Sequence, residues 1–347
     1  MQVLETQNNE KLMGLEKVFS PLSVHLDELN KFLNSQIDCF ELELRDLVSY
    51  ALEHKGKRIR PMLVFFSGWQ SENYVSKDLI KVAGVIELVH LATLIHDDIL
   101  DEAIIRHNMP TLDKKYGSKI ALLLGDALFS HALILASEFE FGNVCQTISQ
   151  SIRRVCAGEI KQTFQASQDH YSLNDYYRII DLKTAELFHV SCLLGARLGK
   201  YPENYVEAIA AFGREMGLAY QIYDDIIDVL GDEKSIGKTL GTDFAHGKHT
   251  LLSLKLMEKL SREECLEFCK NVHEKRIGLK ELKRTLLEYG IFDQVISLLN
   301  KKIENAAKLI EPYQFMPSYS YLIGIQDLIL DQIARINSSF AKEKSEK

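Results

Sequence analysis

Where proline is missing constrains this chain more than any motif does. Its six prolines stand at 21, 61, 110, 202, 312 and 317, so 111–201 and 203–311 contain none. Proline in a helix interior removes a backbone donor and clashes with the preceding turn, so both stretches are free to form long helices. Apolar residues recur at helical spacing, as in Val82, Val85, Ile86, Val89 and Thr93. Alternating apolar and polar runs are few, and no Asn-Gly or Asp-Gly pair marks a tight hairpin. The pattern predicts an all-α chain with helices near 22–53, 62–71, 78–106, 117–138, 143–169, 173–199, 204–230 and, in pieces, 251–338. No Gly-rich or Ser-rich linker divides it. A single domain over 1–347 is expected, with 1–20 and 338–347 as flexible ends.

Composition then excludes some functions. The net charge of −8 argues against nucleic acid as a partner. No uninterrupted apolar run approaches about 18 residues, so no membrane span is expected. The polar, mixed-charge N-terminus lacks the basic-then-apolar order of a signal peptide. Cys39, Cys145, Cys156, Cys192, Cys265 and Cys269 are scattered and form no CxxC pair, which predicts reduced thiols in the cytoplasm.

Against this background "LIHDDILDEAIIRHNMPT" is conspicuous. Asp97 and Asp101 are four apart and share a helix face, with Asp98 on an adjacent one. Leu91, Leu94, Ile95, Ile99 and Leu100 surround them. Clustered carboxylates in an apolar setting need protonation or a cation. Mg²⁺ suits them, since it takes oxygen ligands, keeps several waters and bridges carboxylates to a substrate phosphate. The pattern returns in "AYQIYDDIIDVLGD" with Asp224, Asp225 and Asp228. Two such clusters on apolar helices can face each other across a bundle core.

Cations accompany both clusters. "EHKGKRIRP" gathers Lys55, Lys57, Arg58 and Arg60 before Pro61. A basic loop at a helix start can grip phosphate. Arg106 and His107 follow the first cluster, and Lys238 and Lys248 follow the second. Lys183 and Thr184 interrupt an otherwise apolar helix. Any one of these is more often solvated surface charge than ligand. Together they suggest two diphosphate groups, one held through metal and one directly by cations.

The ordered set "GKRIRP", "HDDILDEAIIRHNMPT", "GD" at 125–126, "GEIKQ" at 158–162, "KTAELF" at 183–188, "QIYDDIID" and "GKTLGTDFAHGKHT" resembles the trans-type isoprenyl diphosphate synthases, or polyprenyl synthetase family. The match spans about Lys55 to Leu252, more than half the chain. The resemblance implies an all-α, isoprenoid synthase-type bundle around a deep cavity, usually a homodimer. It also implies Mg²⁺-dependent condensation of an allylic diphosphate with isopentenyl diphosphate, with three Mg²⁺ per site. By resemblance, Asp97, Asp101 and Asp224 bind metal, with Asp98, Asp225 and Asp228 in support. Arg106, Lys183, Lys238 and Lys248 would contact the allylic diphosphate. Lys57, Arg60 and His90 would hold isopentenyl diphosphate. Thr184 and Gln221 would offer oxygen dipoles to the allylic cation. The chain departs from the family where two arginines and a glycine are usual, with Arg106, His107 and Asn108 instead. His107 carries at most a partial charge near neutral pH. Weaker, more pH-sensitive binding of isopentenyl diphosphate is expected.

Thr93 and Ala92 stand four and five residues before Asp97. Helical side chains tilt N-terminally, so these two should lie one turn, about 5 Å, below the metal site. An aromatic residue there would close the floor, as it does in short-chain members, whereas alanine and threonine do not. Leu88, Val85 and Phe129 are deeper floor candidates. The expectation is an all-trans product of about six to nine isoprene units, one helical turn accommodating roughly one unit; the alternative is a farnesyl or geranylgeranyl diphosphate synthase. More remote rivals are a class I terpene cyclase, a non-catalytic partner subunit and a di-iron bundle. The last would use the Glu-x-x-His motifs Glu87/His90 and Glu186/His189.

Overall fold

The computed structural model describes residues 20–53, 56–165, 171–231, 241, 248–274 and 276–345. The helices are α1 (Ser23–Gln36), α2 (Arg45–Glu53), α3 (Ile59–Ser67), α4 (Lys77–Leu100), α5 (Leu112–Tyr116), α6 (Ser118–Ser137), α7 (Val144–Gln165), α8 (Leu173–Ile180), α9 (Glu186–Leu198), α10 (Glu203–Leu230), α11 (Leu251–Met257), α12 (Arg262–His273), α13 (Leu279–Glu288), α14 (Ile291–Ile310) and α15 (Tyr319–Ser345). The all-α expectation holds. The two long proline-free stretches supply four long helices, α6 and α7 from the first and α10 and α14 from the second; the equally long α4 and α15 lie outside them.

Polar side chains set many of the starts. Ser76 accepts from the Leu79 amide ahead of α4, and Thr250 accepts from Ser253 ahead of α11. Ser172 and Asp175 close a reciprocal capping box on α8. The α4 helix is buried on nearly every side, as an interior helix of a bundle should be. It packs most heavily on α6, while α9 packs on α10 and α3, and α10 on α14. Phe65, Phe66, Phe188 and Phe212 are fully buried in the core these helices share.

Several expected boundaries are corrected. The helix expected over 22–53 is broken by two 3₁₀ turns, Ile37–Cys39 and Leu42–Leu44. Between them Phe40 turns extended, and its buried ring packs 4.6 Å from that of His131 on α6. Arg45 seals the break by donating to the Phe40 and Asp38 carbonyls. The helix expected to start at 62 begins at Ile59, because Pro61 falls in the first turn, where its missing donor costs nothing. The last helix continues to Ser345, through most of the stretch expected to fray.

The helix expected to reach 106 stops at Leu100, and a two-residue antiparallel pair follows, β1 (Ile105–Arg106) with β2 (Met109–Pro110). Its turn is His107-Asn108, with φ of 50° and 62°. A tight hairpin of this hand needs positive φ at both central residues. Asparagine tolerates that conformation, which is how Asn108 replaces the family's glycine.

α4 and α6 are long and apolar enough to cross a membrane by length and composition, a property that counting uninterrupted runs does not register. A few polar residues break a run without lowering the mean hydropathy of a window. Much of each window lies inside the fold, 67% for α4 and 44% for α6.

Candidate active site

Between α8 and α9 the chain makes a π turn, Asp181–Ala185. Such turns are rare and cluster at functional sites. This one carries Lys183 and Thr184. The Lys183 ammonium lies 3.6 Å from Asp97 on α4, pairs with Glu159 on α7, and donates to Gln162 at 3.1 Å. Burial opposes its charge, but Asp97 and Glu159 overcome that and hold its pKa above the ordinary value. Glu159 itself is pushed up by burial, against the pull of Lys183.

Thr184 leads the other way. Its hydroxyl donates to Gln221 Oε1 at 2.7 Å, and Gln221 Nε2 donates to Asp225 Oδ1 at 3.0 Å. Adjacent residues of one turn therefore reach both acidic clusters. A second link comes from Lys248, which donates to Asp101 Oδ2 at 2.7 Å. The clusters of α4 and α10 are therefore joined through the π turn and through the segment that leads into α11.

The six aspartates divide by environment. Asp98 is buried and takes two guanidinium contacts from Arg106, at 2.8 and 2.7 Å. Asp225 is buried and accepts from the Tyr176 hydroxyl at 2.7 Å and the Leu251 amide at 3.1 Å, besides Gln221. It ties α8 and the start of α11 to α10. Asp228 is also buried, and its carbonyl accepts from the Gly241 amide. Asp97, Asp101 and Asp224 remain partly exposed.

These three offer partly exposed carboxylates, hard oxygen ligands of the kind Mg²⁺ takes. Among the described residues no three His, Cys, Asp or Glu side chains converge on one point. A cation here would complete its shell with water and substrate oxygens, the habit of Mg²⁺.

Behind this lies a basic pocket. Arg60 donates to His90 Nε2 at 2.9 Å and lies 5.0 Å over the Phe188 ring. Its Nε is buried with no hydrogen-bond partner. A guanidinium can only donate, so His90 Nε2 accepts and the ring is neutral there. Burial first, then Arg60, Arg106, Arg58 and His107, hold the His90 pKa well below its ordinary value. His90 thus enters as a neutral hydrogen-bonding group. A Cβ on Gly56 would lie 3.5 Å from His107 Nε2, so the basic loop and the hairpin tip meet. Arg58 pairs with Glu87. Lys57 is exposed on the same loop, and Lys238 lies outside the described residues.

The structure consumes both Glu-x-x-His motifs. Glu87 and His90 face Arg58 and Arg60, Glu186 faces Arg154 and Arg214, and His189 contacts the Ala210 carbonyl. They do not face one another as a di-iron site requires. Nor did the motifs single out Glu159, Gln162, Tyr176 or Phe188. "GEIKQ" contained the first two, but only the fold shows that they meet Lys183.

The polyprenyl synthetase family profile matches residues 41–288. The chain belongs to the polyprenyl synthetase family. It is 36% identical over 231 residues to heptaprenyl diphosphate synthase component 2 of Bacillus subtilis, a match covering 63% of this chain and 66% of that one. It is 25% identical to the octaprenyl diphosphate synthase of Haemophilus influenzae, over 93% of this chain and 98% of that one. The fold is similar to a polyprenyl synthase of Caulobacter crescentus crystallised with calcium and isoprenyl diphosphate. The TM-score is 0.84 at 24% identity, over 91% of this chain and 97% of that one. As a member of the family the chain is a trans-prenyltransferase that makes polyprenyl diphosphates.

Proposed function

We propose that the site ionises an allylic diphosphate and adds isopentenyl diphosphate bound beside Arg60; Asp97, Asp101 and Asp224 would hold the Mg²⁺ ions, three by family resemblance. The observation that carries this is the π turn, which holds Lys183 between Asp97 and Glu159 while Thr184 reaches Gln221 and Asp225. Mg²⁺, when bound, supplies Lewis-acid stabilisation of charge on the leaving diphosphate. Lys183, Lys248, Arg106 and Lys238 add fixed positive charge where that charge grows, which lowers the barrier electrostatically. Thr184 and Gln221 turn oxygen lone pairs toward the allylic cation. Arg60, with its open Nε, and Lys57 grip the second diphosphate, helped by neutral His90 and by His107. A proton then leaves the condensed product, with the departed diphosphate as its acceptor. Incubating the protein with Mg²⁺, labelled isopentenyl diphosphate and each allylic primer tests the reading. Elongated products are expected, and none with any primer would refute it.

His107 marks where this site departs from its family. His107→Arg is expected to lower the KM for isopentenyl diphosphate, since arginine adds a permanent charge and a bidentate fork. An equal or higher KM in steady-state assays would count against this.

The product proposed is about six to nine isoprene units long, one per helical turn of floor left open. Relatives named as heptaprenyl and octaprenyl synthases support that range. Ala92, Leu88 and Val85 are fully buried, Thr93 is half-buried with its hydroxyl on the His90 carbonyl, and Phe129 packs on His96. Ala92→Phe is expected to shorten the product by at least one unit, read by chromatography of the dephosphorylated alcohols. An unchanged length distribution in a folded variant would sink the floor argument.

We further propose a cytoplasmic homodimer. All six cysteines are free thiols. Ile120, Leu123 and Ile134 on α6, and Ile160 and Phe164 on α7, are exposed at helical spacing on two neighbouring helices. Such a patch marks an interaction surface. Leu123→Glu is expected to halve the mass seen by light scattering, and an unchanged mass would remove this face from the interface.

A further inference from the structure

Behind the π turn, on the side away from substrate, lies a closed charge cluster that the reaction does not use. Asp181 opens the turn and Glu186 follows its last residue. One π turn closes from residue i to i+5, so these two carboxylates stack on one face. Lys183, between them, projects to the other. Two arginines span both carboxylates. Arg154 on α7 donates to Glu186 at 2.7 Å and to Asp181 at 3.4 Å. Arg214 on α10 pairs with Asp181 and donates to Glu186 at 3.1 Å. Ser151 fills the remaining Glu186 oxygen at 3.0 Å.

The same two helices also press on the turn through glycines. A Cβ on Gly158 of α7 would meet Leu182 Cβ at 2.9 Å and the Lys183 amide at 3.0 Å. A Cβ on Gly217 of α10 would meet Ala185 Cα at 2.5 Å. Each flanking helix therefore brings an arginine and, one turn later, a glycine. The arginine holds the ends of the π turn, and the glycine lets the backbone close on its middle. A buried ion cluster is a poor source of net stability, because desolvation offsets most of its attraction. What it does supply is directional restraint on a backbone segment that an ordinary α-helix would relax.

We propose that Arg154, Arg214, Asp181 and Glu186 form a positioning clamp that fixes the π turn, and so holds the Lys183 ammonium over the first acidic cluster. None of the four touches substrate. Their effect on rate passes first through Lys183 and then through Thr184 on the same turn, and the proposal rests on the roles given to both above.

A double-mutant cycle on the full-length, Mg²⁺-loaded enzyme tests it. Arg214→Met and the isosteric Asp181→Asn are each made alone and with Lys183→Ala, and kcat and the KM for isopentenyl diphosphate are measured. In the wild-type background each clamp variant is expected to cost up to about 100-fold in kcat, the cost of a misplaced catalytic group. The KM for isopentenyl diphosphate should stay unchanged, because the Arg60 pocket does not depend on the turn. In the Lys183→Ala background the same variants should cost clearly less than in the wild type, the residual loss being the part carried by Thr184 on the same turn. Equal losses in both backgrounds would overturn the clamp while leaving the role of Lys183 intact. A Lys183→Ala enzyme with wild-type kcat would overturn both. If neither clamp variant folds, the cluster belongs to the folding core and the proposal also fails.

Discussion

Lys183→Ala is expected to lower kcat by about 10²–10³-fold, the range seen when one preorganised donor to developing charge is removed. The side chain is held at 3.6 Å from Asp97 and paired with Glu159, with its pKa raised above that of a free lysine. It carries full charge throughout the physiological range and needs no rearrangement when the allylic bond breaks. Its loss also leaves the half-buried Glu159 without its Lys183 partner, so some loss of stability will accompany the loss of rate. The two effects separate in the kinetics. The KM for isopentenyl diphosphate should hold while kcat falls. A fall in kcat of less than about tenfold, one decade short of the expected range, would show that Lys183 is structural only.

The second large effect contrasts two neighbours. Asp225→Ala should destabilise the fold by about 3 kcal/mol, because it strands the buried Tyr176 hydroxyl and Leu251 amide, and each unsatisfied group costs about 1–3 kcal/mol. Burial and the Asp225 carboxylate already push the Tyr176 phenol well above its ordinary pKa, a sign of how dry this contact is. Asp224→Ala, one position away and half-exposed, should change stability by only about 0.5 kcal/mol, as exposed substitutions do. It should nonetheless lower kcat by about 10²-fold or more if Asp224 carries metal. Urea unfolding and steady-state kinetics on both variants check the contrast. Equal destabilisation by the two, or an active Asp224→Ala enzyme, would contradict the division of the cluster.

That division shows what a motif leaves undecided. In sequence the second cluster is three aspartates of equal standing. In the fold Asp225 and Asp228 are buried, and Asp225 is spent on holding α8 and α11 to α10, while Asp224 stays partly exposed. The first cluster splits likewise, with Asp98 turned to Arg106 and Asp97 turned to Lys183. Periodicity places residues on helix faces but does not say what waits opposite each face. His90 makes the same point, because its neutral state comes first from burial and then from guanidinium groups brought near by α3 and by the hairpin.

By itself the sequence determined the helical class, since only helices suit long proline-free stretches with apolar residues at helical spacing. It also determined the two acidic clusters, the basic loop and the family, because these are local patterns preserved in order along the chain. It could not determine the π turn, the 3₁₀ breaks around Phe40 or the His107-Asn108 hairpin. Each departs from local helical preference and is stabilised by partners far away in sequence: Arg154 and Arg214 for the first, His131 for the second, and the Gly56 loop for the third. Which aspartates stay partly exposed was likewise decided only when α4 and α10 were brought together, because burial and pairing are properties of the packed core and not of the segment.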